Sequence, residues 1–167
     1  DLRLCDNRGL FEALNAGLPV VPLFIFDRDI LDKLNDRADA RVGFIQQEIS
    51  ALNDELKASG SSMLVKHATP AKAWEELLTE YEVKNVFTNH DYEPYARTRD
   101  EQLATLFSQK GIAFHTFKDH VIFEKDEVVK DDGKPYTVFT PYSRKWLQRL
   151  SETGIKTYPS ETLLASC

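Results

Sequence analysis

The sequence predicts an α/β fold in which parallel strands alternate with amphipathic helices, and two observations carry this prediction. Residues 19–26 form a continuous apolar segment, the pattern of a strand that is buried on both faces of a parallel sheet. Strand-like and helix-like segments then follow one another as far as Phe117. Together they predict a doubly wound parallel sheet of the Rossmann-like (flavodoxin-like) kind.

The length and composition predict one folded domain. The chain has 167 residues, of which 42% are hydrophobic and 29% are charged, and these values are typical of globular proteins. The formal charge of −6 and the pI near 5.2 argue against this chain alone being a nucleic-acid-binding domain.

The cysteines and the apolar segments predict a cytoplasmic protein without a membrane span. Cys5 and Cys167 lie near opposite ends and have neither metal-ligand nor redox spacing. The longest apolar segment, residues 19–26, is much shorter than the roughly 20 residues that a membrane helix needs.

The first half of the chain supplies two strands and three helices. Asn7 can cap a short helix, and we expect a strand to precede Asp1. The strand at residues 19–26 ends at Asp27. Residues 38–58 form an amphipathic helix, and after a strand at residues 62–66 the next helix begins at Pro70.

The second half continues this alternation and then departs from it. A strand around Val83 to Phe87 precedes a helix at residues 94–110 and a strand at residues 112–117. Residues 124–137 are predicted to form an extended loop or a small hairpin. A last helix is capped by Thr140, and the tail after Pro159 shows no pattern.

The most informative turn follows the strand at Val83 to Phe87. In an open α/β sheet, ligands bind beyond the carboxyl ends of the strands. We therefore expect a ligand crevice here, lined by acidic and aromatic side chains, namely Asp91, Tyr92, Glu93 and Tyr95.

Several standard motifs do not occur in the sequence. It contains neither G-x-G-x-x-G nor G-x-x-x-x-G-K-[ST], so it gives no support to a dinucleotide oxidoreductase or a nucleoside triphosphatase. It also lacks G-x-S-x-G. The four histidines show no zinc-ligand spacing, and no metal site is predicted.

Four segments in order resemble the amino-terminal domain of the DNA photolyase/cryptochrome family. They are DLRL with Asp6-Asn7 at residues 1–7, PLFIFD at residues 22–27, DYEPYARTRD at residues 91–100, and GKPY at residues 133–136, which leads into FTPY and Trp146. The match covers almost the whole chain and is most similar to class I cyclobutane-pyrimidine-dimer photolyases.

This resemblance implies a five-stranded sheet of order 3-2-1-4-5, when the strand expected before Asp1 is counted. It also implies an antenna-binding domain at residues 1–150 and the start of an interdomain linker at residues 151–167. The FAD-binding helical domain of the family lies outside this chain, so we expect the chain alone to repair nothing. In the full-length protein it would work with that domain on UV-damaged DNA, with no obligate protein partner.

The resemblance also implies an antenna chromophore and its contacts. Arg41 and Asp91 match family positions that approach the antenna, and Asp27, Glu93 and Tyr95 are further candidates. Folate-binding members carry an Asn-Glu pair where this chain has Tyr95 and Ala96. A deazaflavin or a flavin is therefore expected rather than methenyltetrahydrofolate, with Phe24 and Phe26 among the apolar walls.

Each of these interpretations has an alternative. Asp91 and Glu93 can cap the helix that begins at Pro94, and Arg41 can pair with Asp36 or Asp39. The segment at residues 139–146 is interpreted as a packing anchor between two domains, and a DNA-facing role of the nearby basic residues is the alternative. The whole protein can also be a cryptochrome photoreceptor, or a free-standing nucleotide-binding module.

Overall fold

The computed structural model describes residues 2–36 and 38–166, and of Ser166 only the backbone. In chain order the elements are α1 (Arg8–Leu14), β1 (Leu23–Asp27), α2 (Arg28–Leu31), α3 (Ala40–Ala58), β2 (Leu64–Ala68), α4 (Pro70–Glu80), β3 (Asn85–Asn89), α5 (Pro94–Gln109), β4 (Ala113–Phe117) and α6 (Phe139–Thr153). Short 3-10 segments occupy Lys125–Glu127 and Ser160–Ser166.

The strands form two parallel pairs, which confirms the predicted α/β class. Leu23 to Asp27 lie opposite Leu64 to Ala68, so β1 pairs with β2. β3 pairs with β4 in the same parallel sense. Within the described residues β1 and β3 do not pair, and both strands line a cavity of about 730 Å³. The five-stranded order 3-2-1-4-5 stays a prediction.

One part of the core lies beside β3 and β4. α5 begins at Pro94 and turns Leu103 and the fully buried Phe107 toward Val86 of β3. Trp74 of α4 meets the Phe107 ring edge-on, with 4.8 Å between ring centroids. The apolar spacing of these helices therefore fixes their position against the sheet.

A second part of the core contains the carboxyl-terminal tail, so the expectation of a tail without structure is wrong. Leu164 is buried with Leu4, Leu14 and Leu56. The Ser160 hydroxyl donates to the Leu4 carbonyl at 2.6 Å and accepts from the Asn7 amide at 3.0 Å. These contacts join positions more than 150 residues apart, which no local pattern can indicate. The domain boundary at residue 150 stays a prediction.

Element boundaries differ from the expected ones by a few residues. β1 begins at Leu23, because Pro19 and Pro22 lack the amide hydrogens that a strand pairs. α6 begins at Phe139, with Val138 at its cap position in place of Thr140. The loop after β4 contains a 3-10 turn closed by reciprocal bonds between Glu124 and Glu127, and no hairpin forms at residues 124–137. Among the described helices, none is long and apolar enough to cross a bilayer.

Candidate functional site

Asp27 lies at the carboxyl end of β1 and is buried, with 8% of its surface exposed. Its extended backbone ends the strand, and its carboxylate accepts a hydrogen bond from the Asp29 amide at 2.9 Å, which caps α2. One carboxylate oxygen of Asp27 therefore caps α2, and the other oxygen can accept a hydrogen bond from a second donor.

Tyr95, in the first turn of α5, provides that donor. Its hydroxyl donates to Asp27 Oδ2 at 2.5 Å, with a longer contact of 3.5 Å to Asp29 Oδ2. Burial raises the pKa of Tyr95, and the hydrogen bond to Asp27 raises it further. Tyr95 therefore remains a neutral donor and joins the end of β1 to the start of α5.

Asp91 lies in the turn between β3 and α5. Its carboxylate accepts from the Glu93 amide at 3.1 Å in the turn before α5, and Asp91 does not cap the helix, because Glu93 occupies the cap position. Burial opposes a higher pKa at Arg99, but its hydrogen bond to Asp100, at 2.8 Å, and the charge of Asp91 raise the Arg99 pKa overall. Asp91, Arg99 and Asp100 all line the 730 Å³ cavity and give one part of it a charged rim.

The rest of the cavity wall is mostly apolar. Phe24 and Ile25 of β1, Val86 and Phe87 of β3, and Leu103 of α5 contribute to it. Of the five residues that the sequence predicts as polar antenna contacts, Asp91 lines this cavity. Asp27 and Tyr95 are hydrogen-bonded to each other.

The structure does not bring Arg41 and Glu93 to this cluster. The Arg41 side chain is 77% exposed and binds Asp39 at 2.6 Å, as the ion-pair alternative predicted. Hydrogen bonds from the Arg41 side chain and backbone lower the pKa of Asp39 to about 2. Glu93 is exposed at the start of α5 and makes no side-chain capping bond.

A polar cluster that the sequence did not indicate lies at the end of β3. Asn89 Nδ2 donates to Asn7 Oδ1 at 2.9 Å and to Asp119 Oδ2 at 3.2 Å, while Asn89 Oδ1 accepts from the Gly9 amide at 2.8 Å. Asp119 is also paired with Arg3, and its side chain is 4% exposed. An asparagine at a strand end was the available signal, but its partners lie about 30 and 80 residues away.

A second cluster surrounds Glu124, in the loop after β4. Tyr92 donates to Glu124 at 2.6 Å, and His90 Nδ1 lies 2.9 Å from the same carboxylate. Burial opposes a lower pKa at Glu124, but these two hydrogen bonds lower it overall. The described residues include no group of three or more His, Cys, Asp or Glu side chains arranged to hold a metal ion.

The chain is similar in sequence to a known protein family and to its members. The sequence profile of the family described as DNA photolyase matches residues 1–161. A deoxyribodipyrimidine photo-lyase from Synechococcus sp. is 32% identical over 161 residues, which are 96% of this chain and 33% of that protein. Cryptochrome-1 from Arabidopsis thaliana is 26% identical over 148 residues, which are 88% of this chain and 21% of that protein.

Solved structures agree on the fold. A class III photolyase from Agrobacterium tumefaciens superposes with a TM-score of 0.80 at 24% identity, over 96% of this chain and 32% of that one. An archaeal photolyase from Sulfolobus tokodaii, solved with two FAD molecules, gives 0.75 at 24% identity, over 99% of this chain and 39% of that one. By length, the chain spans about a third of the Synechococcus photo-lyase to which it is similar in sequence.

Proposed function

Because this chain belongs to the DNA photolyase family, we propose that it is the amino-terminal, antenna-holding domain of a deoxyribodipyrimidine photolyase. The match of residues 1–161 to the family, at about a third of a photo-lyase's length, carries this proposal. In the full-length protein, FAD would be held by the remaining polypeptide and, in its reduced form, would supply the electron for splitting a pyrimidine dimer in UV-damaged DNA. A cytoplasmic location belongs to the same proposal.

The residues that line the cavity between β1 and β3 fit a planar chromophore. The apolar walls that include Phe24 and Phe87 suit the faces of a ring system, and Asp91 with Arg99 suits its polar edge. The five-stranded order would place a further strand between β1 and β3. That strand would fill the middle of the cavity and leave the chromophore at its carboxyl end, beside Asp91.

The Asn-Glu pair of the folate-binding members has no counterpart in this chain, which supports a deazaflavin or a flavin. Ala96 is 2% exposed and has no polar side-chain atom, and the Tyr95 hydroxyl is already engaged by Asp27. Neither residue offers the amide and carboxylate of the Asn-Glu pair. Asp91, which lines the cavity, is therefore the proposed antenna contact, and the antenna roles of Asp27, Tyr95, Arg41 and Glu93 stay predictions.

The decisive experiment is an absorption and fluorescence-excitation spectrum of the purified full-length protein, combined with an assay of light-dependent dimer repair. We expect bands of FAD and of a second chromophore, and excitation of the second chromophore should drive repair. A full-length protein that binds no FAD and repairs no dimers under light would contradict the proposal. The 167-residue chain alone should repair nothing.

A cryptochrome is the second candidate, favoured by the similarity to Arabidopsis thaliana cryptochrome-1. A cryptochrome would show the same FAD spectrum and would leave dimers in place under light. The repair assay therefore separates the two candidates.

A further inference from the structure

A second cleft lies at the carboxyl ends of β3 and β4, and it shares no lining residue with the 730 Å³ cavity. His90 directly follows β3, Phe117 ends β4, and Arg149 reaches the cleft from α6. We call it the β4 cleft, and it is lined by residues 8, 90, 116–118, 124–127 and 149. Open α/β sheets bind ligands at the carboxyl ends of their strands, so this cleft is a second place for a ligand.

The β4 cleft is more basic than the chain as a whole. Four basic and three acidic side chains line it, whereas the chain carries a formal charge of −6. Two of the acidic groups already have partners in the protein. Glu124 accepts a hydrogen bond from Tyr92 at 2.6 Å. Glu127 accepts one from Lys118 at 2.7 Å, and the third acidic residue, Asp126, is exposed.

Two arginines of the β4 cleft lack a hydrogen-bond acceptor for their guanidinium groups among the described residues. The Nε atoms of Arg8 and Arg149 are buried and have no partner. Their terminal nitrogens donate no hydrogen bond to a described residue either. The ion pair of Arg8 with Glu12 is long, at 3.8 Å. Because uncompensated charged donors are costly in a protein, these two groups favour an anion in the cleft.

Aromatic rings hold both guanidinium groups in place. Arg8 Cζ lies 5.3 Å from the centre of the Phe117 ring and 5.0 Å from that of Tyr158. Arg149 Cζ lies 6.0 Å from the centre of the Phe123 ring. Stacking on a ring fixes the guanidinium plane and leaves its N–H edge able to donate. Groups that are already held in place lose less conformational entropy when they bind an oxyanion.

We propose that the β4 cleft binds a phosphate group, either free or carried by a small ligand, with Arg8 and Arg149 as the donors. A guanidinium group can donate to two phosphate oxygens at once. A phosphate monoester carries a charge of about −1.5 to −2 at pH 7, which matches two uncompensated guanidinium groups. A nucleic-acid backbone suits the site less well, because it needs an extended basic surface and this chain is acidic overall.

Isothermal titration calorimetry of the full-length protein in phosphate-free buffer tests this site. Inorganic phosphate and phenyl phosphate are the two probes, and sodium chloride at the same ionic strength gives the baseline. We expect one saturable site with a Kd of about 1 mM or below, the range that a few charge-assisted hydrogen bonds give. Tighter binding of phenyl phosphate would assign the site to a phosphorylated ligand, and equal or weaker binding would assign it to free phosphate. Binding of neither probe would overturn the proposal, and so would binding of a DNA duplex alone.

Substitutions show whether the two arginines carry the binding. Arg149→Gln should weaken phosphate binding by about tenfold or more, the loss of one charge-assisted hydrogen bond. Arg144→Gln is its matched control, because Arg144 is exposed on the same helix and does not line the cleft. Arg8→Gln should weaken binding in the same way, with Arg28→Gln, at a surface ion pair, as its control.

Circular dichroism checks that each variant is folded, and if one arginine variant unfolds, the other decides. Wild-type affinity in the folded arginine variants would overturn the proposal. Equal weakening by Arg144→Gln and Arg149→Gln would also overturn it, because it would indicate general electrostatic attraction. Phosphate binding is measured in the dark and needs no antenna or dimer repair, so its outcome is independent of the proposed function.

Discussion

The Asp27 to Tyr95 hydrogen bond shows how much a single pair of residues contributes to the arrangement of this site. Asp27 is buried, and its carboxylate both caps the start of α2 and accepts a hydrogen bond from the Tyr95 hydroxyl. Without the second donor, one carboxylate oxygen would be buried with no partner, which is costly for a charged group. The pair therefore fixes the end of β1 against the start of α5 and stabilises the domain.

Replacing Tyr95 by Phe tests this role. The change keeps the ring and removes the donor, so we expect the free energy of unfolding to fall by about 2 kcal/mol. Urea unfolding measures the loss. Tyr81→Phe is the matched control, because Tyr81 is exposed and its hydroxyl bonds to no other described residue, and this change should have little effect. Equal stability of Tyr95→Phe and the wild type would show that the bond contributes nothing.

The ion pair between Arg41 and Asp39 predicts that the stability of the start of α3 depends on pH. The folded-state pKa of Asp39 is about 2, below its ordinary value of 3.8. Stability from this pair is therefore fully present above pH 3.8 and is lost as the pH falls through 2. In Arg41→Gln the Asp39 pKa should rise toward 3.8, although the backbone bond from residue 41 still lowers it.

Carboxyl-carbon NMR titration of Asp39 measures this shift. Arg28→Gln is the control, because it removes a separate surface ion pair, with Asp32, and should leave the Asp39 titration in place. An Asp39 pKa that is identical in wild type and Arg41→Gln would rule out the guanidinium as the cause.

At the scale of elements, α1 can approach β3 because Gly9 has no side chain. A Cβ atom at Gly9 would lie 2.9 Å from Asn89 Oδ1 and 3.4 Å from the Thr88 backbone. Because the helix lies so close to the strand, the Gly9 amide can donate a hydrogen bond to Asn89 Oδ1 at 2.8 Å. The glycine therefore sets the distance between the helix and the strand end.

Two glycine-to-alanine changes separate this packing effect from helix propensity. Gly43 lies inside α3 with no atom near its missing Cβ, so Gly43→Ala should stabilise the protein by about 0.5 to 1 kcal/mol. Gly9→Ala also raises helix propensity, but its added methyl group overpacks the contact with Asn89. We therefore expect this variant to destabilise the protein by about 1 to 3 kcal/mol. Chemical denaturation measures both, and effects of the same sign would contradict this account.

At the scale of the whole molecule, the tail after α6 closes the core. Leu164 packs with Leu4, Leu14 and Leu56, and Ser160 bonds to the backbone near the amino end. The residues that the sequence presents as a featureless tail thus hold the two ends of the chain together.

Leu164→Ala should therefore lower the free energy of unfolding by about 2 to 4 kcal/mol, because it leaves a cavity in the core. Leu18→Ala is the control, because Leu18 is 46% exposed and its replacement should cost far less. Thermal unfolding of both variants measures the difference. Similar melting temperatures would show that the tail is peripheral to the fold.

The sequence by itself determined the α/β class, the approximate helices and strands, and the family. These depend on local information: apolar runs, helical spacing, proline at helix starts, and short motifs in a fixed order. Asp27 and Asp91 also lie where a local pattern can indicate them, because Asp27 ends β1 and Asp91 is two residues after the end of β3.

The tertiary structure decided which of these residues meet. It joined Asp27 to Tyr95 across 68 positions, left Arg41 with its neighbour Asp39, built the Asn89 cluster from three distant segments, and placed Leu164 in the core. Such contacts form when whole elements pack, and their energy depends on burial and on partners far away in the chain. A local pattern of residues carries no record of them.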